Sequence, residues 1–407
     1  MSAGPLTGLK VLDLSRILAG PTCTQLLADL GADVVKIERP GRGDDTRGWG
    51  PPFLTDPEGR ETTESAYYLC ANRGKRSVAV DISDPKGQEI VRALAAQSDV
   101  LIENFKAGDL ARRGLDWETL SLDMPRLIYC SISGFGRTGP LADRPGYDFM
   151  IQGMGGIMSL TGQADGPPMK VGVGIADIMC RMYASSAILA ALHHKARTGE
   201  GQHIDLALLD TQVAWLANEG TNYLLSGKVP QRLGNEHPNI VPYKLFETQD
   251  GPVVLAAGND AQFQRFCRFA GVAELAEDAR FVTNSKRVQN RDALYALLVP
   301  VFATRTKAEW VDGLTALGVP CGPVNSIDEV FEDEQVRHRE MRIDMPHPLS
   351  ADGTVPLLGN PIKMSATPPA YDKPPPVLGQ HTAEVLEELL ALDAPELTRL
   401  REAGVIN

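Results

Sequence analysis

Two apolar runs bracketing a helical stretch at the start of the chain constrain the fold more than any other feature. Residues 9–14 (LKVLDL) read as a strand and Gly20-Pro21 as a turn, with proline near the first helical position. Residues 22–30 then read as a helix and residues 32–38 (ADVVKIE) as a second strand. Parallel strands need a crossover connection, and a helix supplies it. The alternation continues with a strand at 77–81, a helix at 85–97, and strands at 100–103 and 127–133. This pattern predicts an α/β protein built on a parallel, doubly wound sheet.

A Rossmann-like start with an acid, Glu38, closing the second strand invites a nicotinamide-enzyme reading. That chemistry requires G-x-G-x-x-G in the first turn, so that backbone can approach a pyrophosphate. The turn here is SRILAGP, with Arg16, Ile17 and Leu18 where glycines are needed. The expectation is therefore a Rossmann-like fold without NAD or FAD.

Further along, DIMCRMYASSAILAALHHKAR (177–197) has helix-forming composition, an acid at its start and basic residues in its last turns. A strand at 202–208 and a helix at 209–225 follow. The texture then shifts to short strands and loops, with Asp250-Gly251 marking a hairpin, and to helices at 261–270 and 291–302. These signals divide the chain into a large domain (1–219), a smaller inserted α+β domain (220–330) and a Pro-rich C-terminal wrapping segment (331–407). The last carries an amphipathic helix at 382–390.

The net charge is −12, from 40 Lys and Arg against 52 Asp and Glu, so neither nucleic acid nor an anionic membrane is an expected partner. An anionic ligand must meet a local basic patch. The six cysteines are scattered and the histidines lack metal-ligand spacing, so no metal site is expected. The N-terminus lacks a signal-peptide pattern and no run approaches 18 apolar residues, which points to a cytoplasmic protein.

The segments PLTGLKVLDLSRILAGP, LGADVVKIERPGRGDDTR, ANRGKRSVAVDI, VLIENF, GFGRTGP, PGYD, IADIM, RTGEGQHIDLALLD, NIVPYKLFETQDG, CGPVN and PPPVLGQH occur in this order. Together they make the chain resemble, nearly end to end, the class III coenzyme A transferases of the formyl-CoA and carnitine CoA-transferase type. DDTRGWGPPF, NIVPYKLF and AAGNDAQF look most like the succinate–hydroxymethylglutarate CoA-transferases, which act on short dicarboxylates. The resemblance implies a Rossmann-like large domain, an interlocked homodimer, and acyl-CoA with a free carboxylic acid as substrates. It implies no tightly bound cofactor.

The nucleophile of that family falls on Asp177. A carboxylate attacks a thioester only when ionised; ordinary aspartate is ionised at neutral pH, and a helix start favours the anion. A plain helix-capping role is the alternative reading. The implied reaction passes through an aspartyl mixed anhydride and an aspartyl-CoA thioester. Matching positions for the CoA moiety are Leu18, Ala19, Arg39, Val80 to Ser83, Asn104, Phe105, Lys106 and Arg112, with Tyr147 and Asp148 beside the nucleophile. Related racemases carry histidine where Tyr147 stands, because exchange at an α-carbon needs a base titrating near neutrality. The loop expected to cover the nucleophile corresponds to Gly258 and Asn259.

For the distal carboxylate of a dicarboxylate, the candidate cations are Arg16, Arg47 and His237. Each has a structural alternative: Arg16 pairing with Asp13, Arg47 with Asp44 or Asp45, and His237 as a satisfied loop residue. Lys75 and Arg76 read as structural or rim charges. Two other functions compete with CoA transfer, an acyl-CoA racemase of the same fold and a non-catalytic CoA-binding paralogue.

Overall fold

The computed structural model describes residues 4–407. The chain forms two compact units. The first comprises the described residues up to Ile157, Val171–Thr221 and Glu334–Asn407. The second comprises Met158–Lys170 and Asn222–Asp333, so a short segment read as part of the large domain clusters with the smaller unit.

The first unit is organised by a six-stranded parallel sheet of β1 (Lys10–Asp13), β2 (Asp33–Glu38), β3 (Lys75–Ala79), β4 (Val100–Glu103), β5 (Ile128–Ser133) and β6 (Gln202–Ala207). The order is β3-β2-β1-β4-β5-β6, and every pairing is parallel. Successive side chains point to opposite faces of a strand, and the sequence fills both faces. Val11, Val34 and Ile102 pack on one side with α1 (Ala19–Asp29), while Leu12, Val35 and Leu101 pack on the other with α2 (Pro85–Ala96). The C-terminal helices Thr382–Leu390 and Ala394–Glu402 deliver Val385, Leu386, Leu397 and Leu400 to that second face. Each such side chain, fully buried, contributes about 1.5–3 kcal/mol of burial free energy.

Two further helices frame the site, α3 (Asp148–Met154) and the long α4 (Ile175–Thr198). Cys180, Ala184, Ile188 and Ala191 recur at helical spacing and turn one stripe of α4 into the core. Its opposite stripe leaves Met182, Tyr183 and Leu189 exposed. By length and composition α4 could cross a membrane, but in this fold its apolar stripe covers the sheet as a core helix. The single helix expected over 209–225 is two, Leu208–Ala214 and Ala217–Ser226. Ala217, at φ 45, takes a left-handed conformation that cannot propagate a right-handed helix.

The second unit holds a three-stranded antiparallel sheet of β7 (Tyr243–Glu247), β8 (Pro252–Ala256) and β9 (Cys321–Pro323), in the order β9-β8-β7. Gly251, at φ 132, supplies the conformation that closes the β7–β8 hairpin. The sheet packs on an aromatic core in which the Phe246 and Phe302 rings stack with centroids 4.1 Å apart. Asn259 caps α5 (Asp260–Ala270), its side chain accepting the Gln262 N–H.

Candidate active site

In an open parallel sheet, a crevice opens beyond the carboxyl ends of the strands where the connections part in opposite directions. Here that point lies between β1 and β4. The β1–α1 turn has the strained backbone a glycine-rich turn would absorb, but on a β-branched residue, Ile17, at φ 75. The Ile17 N–H donates to both carboxylate oxygens of Asp44 at 3.2 Å. Asp44 is in turn held by the Lys36 ammonium at 2.9 Å. The adjacent Arg16 backbone is clasped by the Asn104 side chain at the end of β4, which accepts its N–H at 2.9 Å and donates to its carbonyl at 2.7 Å. A polar network, buried at Lys36 and Asp44 and open to solvent at Arg16, thus fixes Leu18 and Ala19 at the crevice.

Asp177 lies in the first turn of α4, but the residue in the capping position is Gly174. No described residue donates a hydrogen bond to the Asp177 carboxylate, so the capping alternative fails. A Cβ built on Gly174 would lie 3.2 Å from Leu18, 3.7 Å from the Asp148 carboxyl carbon and 3.7 Å from an Asp177 oxygen. A Cβ there would make ordinary contact with both carboxyl groups and press only on the end of the Leu18 side chain, by a few tenths of an ångström. Burial first, and the Asp148 charge second, push the Asp177 carboxyl up to about 7. The helix start does not hold this group in the ordinary aspartate range, because desolvation and a like charge outweigh the dipole.

Asp148 stands beside Asp177, with its carboxylate engaged in the backbone. It is not among the residues facing the cavity; its carboxylate accepts the Ala176 N–H at 2.8 Å and the Gln152 amide at 2.8 Å. It therefore ties α3 to the start of α4 and sets the field at Asp177.

Asp177 opens into a cavity of about 210 Å³ whose walls include Leu18, Ala19, Asn104, Phe105, Lys106 and Tyr147. Tyr147 is 63% exposed, so it is not a buried structural tyrosine. A neighbouring cleft of about 330 Å³ shares Arg16 and Phe105 with it and is lined by Arg39, Val80 and Ser83 at the ends of β2 and β3. The expected nucleophile and most of the expected CoA-binding positions thus meet along one crevice.

Several expectations are corrected. Arg47 is buried, bonded to Glu38 at 2.8 Å, to Glu64 at 2.7 Å and to the Pro376 carbonyl at 3.1 Å, so its guanidinium is committed within the fold. Neither Asp44 nor Asp45 is its partner. Arg16 pairs with Asp45 at 2.8 Å, not with Asp13, whose partner is the buried Lys75 at 3.0 Å. Arg76 is likewise buried, paired with Asp33 and Glu388. Arg112 is not among the lining residues of the cleft, being 69% exposed and paired with Asp109, while its neighbour Arg113 lines the cleft with Arg42. His237, Gly258 and Asn259 belong to the second unit. There the His237 ring accepts the Asn239 N–H, Gly258 donates to Gln262, and the Asn259 oxygen is used as a helix cap.

Sequence reading missed Tyr67, Arg113 and Arg144. Burial first, then the Asp177 charge, pushes the half-buried Tyr67 phenol up to about 12, so it stays protonated near the carboxylate. Arg144 lines the Asp177 cavity. The residue just before PGYD was the available signal for Arg144.

The sequence matches the family described as CoA-transferase family III over residues 6–382. A succinate–glutarate CoA-transferase of Agrobacterium fabrum is 50% identical over 96% of this chain and 96% of its own. A succinyl-CoA:glutarate CoA-transferase of Mus musculus is 44% identical over 100% of this chain and 91% of its own. The crystal structure of a CAIB/BAIF family protein from Brucella suis superposes with a TM-score of 0.84 at 50% identity, covering 96% of this chain and 100% of that one. A parallel sheet with an unbonded carboxylate at its switch point, matched along nearly its whole length to one family, makes this chain an enzyme that belongs to CoA-transferase family III.

Proposed function

We infer that the enzyme moves CoA from an acyl-CoA to a short dicarboxylate such as succinate, glutarate or hydroxymethylglutarate, with Asp177 as nucleophile. The observation that carries this reading is the Asp177 carboxylate, free of hydrogen-bond partners and facing a cavity that joins a cleft lined by Arg39, Arg42 and Arg113. The dicarboxylate acceptors in the relatives' names favour the same substrate class.

The ionised Asp177 oxygen adds to the thioester carbonyl and the C–S bond breaks, giving an aspartyl mixed anhydride and CoA thiolate. The thiolate then adds to the Asp177 carbonyl carbon and releases the donor acid as its carboxylate, leaving an aspartyl-CoA thioester. An acceptor carboxylate reverses the two steps, forming the new acyl-CoA and regenerating Asp177. Each addition places negative charge on a carbonyl oxygen, which nearby N–H and O–H donors stabilise. Tyr67, protonated near the carboxylate, is one such donor.

The enzyme acts as a homodimer, interlocked and cytoplasmic. The exposed apolar stripe of α4 (Met182, Tyr183, Leu189), with Phe149 and Trp215 also exposed on the first unit, supports a second copy as its cover. A racemase reading is disfavoured because a tyrosine, Tyr147, stands where the related racemases carry a histidine.

The test is to incubate the protein with succinyl-CoA, quench with hydroxylamine or borohydride, and map the modified peptide by mass. Modification of the Asp177 peptide is expected. An unmodified Asp177 peptide, or α-proton exchange in deuterated water without any acceptor, overturns the reading.

A further inference from the structure

A dicarboxylate that enters the Asp177 cavity brings a second negative charge into a space already holding Asp177 and the field of Asp148. It needs a cation not already neutralised by the protein. Three cations line the cavity, Arg16, Lys106 and Arg144. Arg16 is bonded to Asp45 at 2.8 Å, and its guanidinium sits 5.4 Å from the Phe105 ring. Lys106 lines the cavity but not the neighbouring cleft, and no acid among the described residues pairs with it; its ammonium is a point charge, and the family resemblance assigns it to the CoA moiety.

Arg144 differs from both. Among the described residues the one polar partner of its guanidinium is the Met150 sulfur at 3.8 Å, a weak contact, and the guanidinium lies 5.7 Å from the Phe135 ring. No carboxylate of the described residues pairs with it. It is exposed, and it lies three residues before Tyr147, another wall of the same cavity. A guanidinium offers two parallel N–H donors that match a carboxylate, whereas an ammonium is a point charge. The Met150 and Phe135 contacts do not compete with an ionic partner, and desolvating them costs little.

We propose that Arg144 is the specificity-determining residue of the acceptor site, holding the distal carboxylate of a dicarboxylate while the proximal one faces Asp177. This deepens the CoA-transferase reading above and rests on it. The acceptor class follows from the chemistry: dicarboxylates bind in two places, whereas monocarboxylates of equal length engage only the reacting centre.

The experiment compares glutarate with valerate as acceptors, with succinyl-CoA as donor, in the full-length protein and its variants R144Q, R144K and K106Q. In a double-displacement reaction, kcat/KM for the acceptor reports the second half alone. For R144Q, kcat/KM for glutarate is expected to fall at least tenfold with valerate changed less than twofold; R144K recovers part of the loss. K106Q is expected to raise KM for succinyl-CoA and leave the glutarate-to-valerate ratio unchanged. A parallel fall for both acceptors in R144Q, an unchanged ratio, or a ratio that shifts in K106Q instead overturns the assignment. No transfer by the unaltered protein overturns both this proposal and the transferase reading, whereas transfer with an unchanged R144Q ratio overturns this one alone.

Discussion

Arg47 and Arg144 are the same residue type in the same unit, yet they stand at opposite ends of a scale. Arg47 is sealed between Glu38 and Glu64, with its guanidinium stacked 3.7 Å above the Tyr68 ring. Around it Lys36–Asp44 and Lys75–Asp13 are also fully buried and matched. In the Asp177 cavity the arrangement is reversed: a carboxylate without donors and a guanidinium without acids face one open space. Matched buried charges specify geometry, here the strained Ile17 turn and the loops at the strand ends. Unmatched charges at a cavity are groups whose partner arrives with the substrate.

The contrast is broken most severely at Asp177. Replacement by alanine is expected to lower CoA-exchange turnover by at least about 10³-fold, since it removes the proposed nucleophile and leaves only binding and donor effects. Far-UV circular dichroism is expected to stay native and the melting temperature not to fall. The opposite disturbance, Arg47→Ala, strands two buried carboxylates and is expected to destabilise the fold by about 3–5 kcal/mol in chemical unfolding, with the folded fraction retaining activity within a few-fold.

A subtler test uses pH. Asp177 holds its proton more tightly folded, at about 7, than unfolded, so its ionisation opposes folding. The favourable contribution is complete below the ordinary aspartate range and is lost as pH rises from about 4 to about 7. Asp177→Asn is therefore expected to gain stability over the unaltered protein across that window, reaching about 2 kcal/mol above pH 7 once solvent screening in an open cavity is allowed for. In the same window kcat/KM for the acyl-CoA is expected to rise with pH and level off above 7. The smallest effect expected is for Asp148→Asn, which keeps an acceptor for the Ala176 N–H and removes the like charge. The acidic limb of the pH–rate profile is expected to move down by a few tenths of a pH unit, because burial is the larger cause of the raised Asp177 value.

Much of this was legible in the chain. The strand–helix alternation around LKVLDL and ADVVKIE carried the parallel sheet, and the helix 177–197 is α4 to within two residues at either end. Asp177, Phe105 and Tyr147 were named before any geometry and line one cavity. Less was legible where an outcome depends on distant partners. Ile17 shows no sign in its own sequence neighbourhood that it will adopt a positive φ, because the Asp44 acceptor that holds it lies 27 residues on. The choice between Arg112 and Arg113 turns on the direction of a short 3₁₀ turn at Ala111–Arg113.

Local periodicity and turn chemistry act over a few residues, so the sequence by itself determined which segments are strands and helices, their parallel connection, and an acid at the head of a long helix. Only the tertiary structure decided which charges remain unpaired. Pairing and desolvation are set by groups remote in the chain, as when Arg47 meets a carbonyl 329 residues away. The protonation of Asp177 and the availability of Arg144 follow from that same accounting of neighbours in space, which no run of adjacent residues contains.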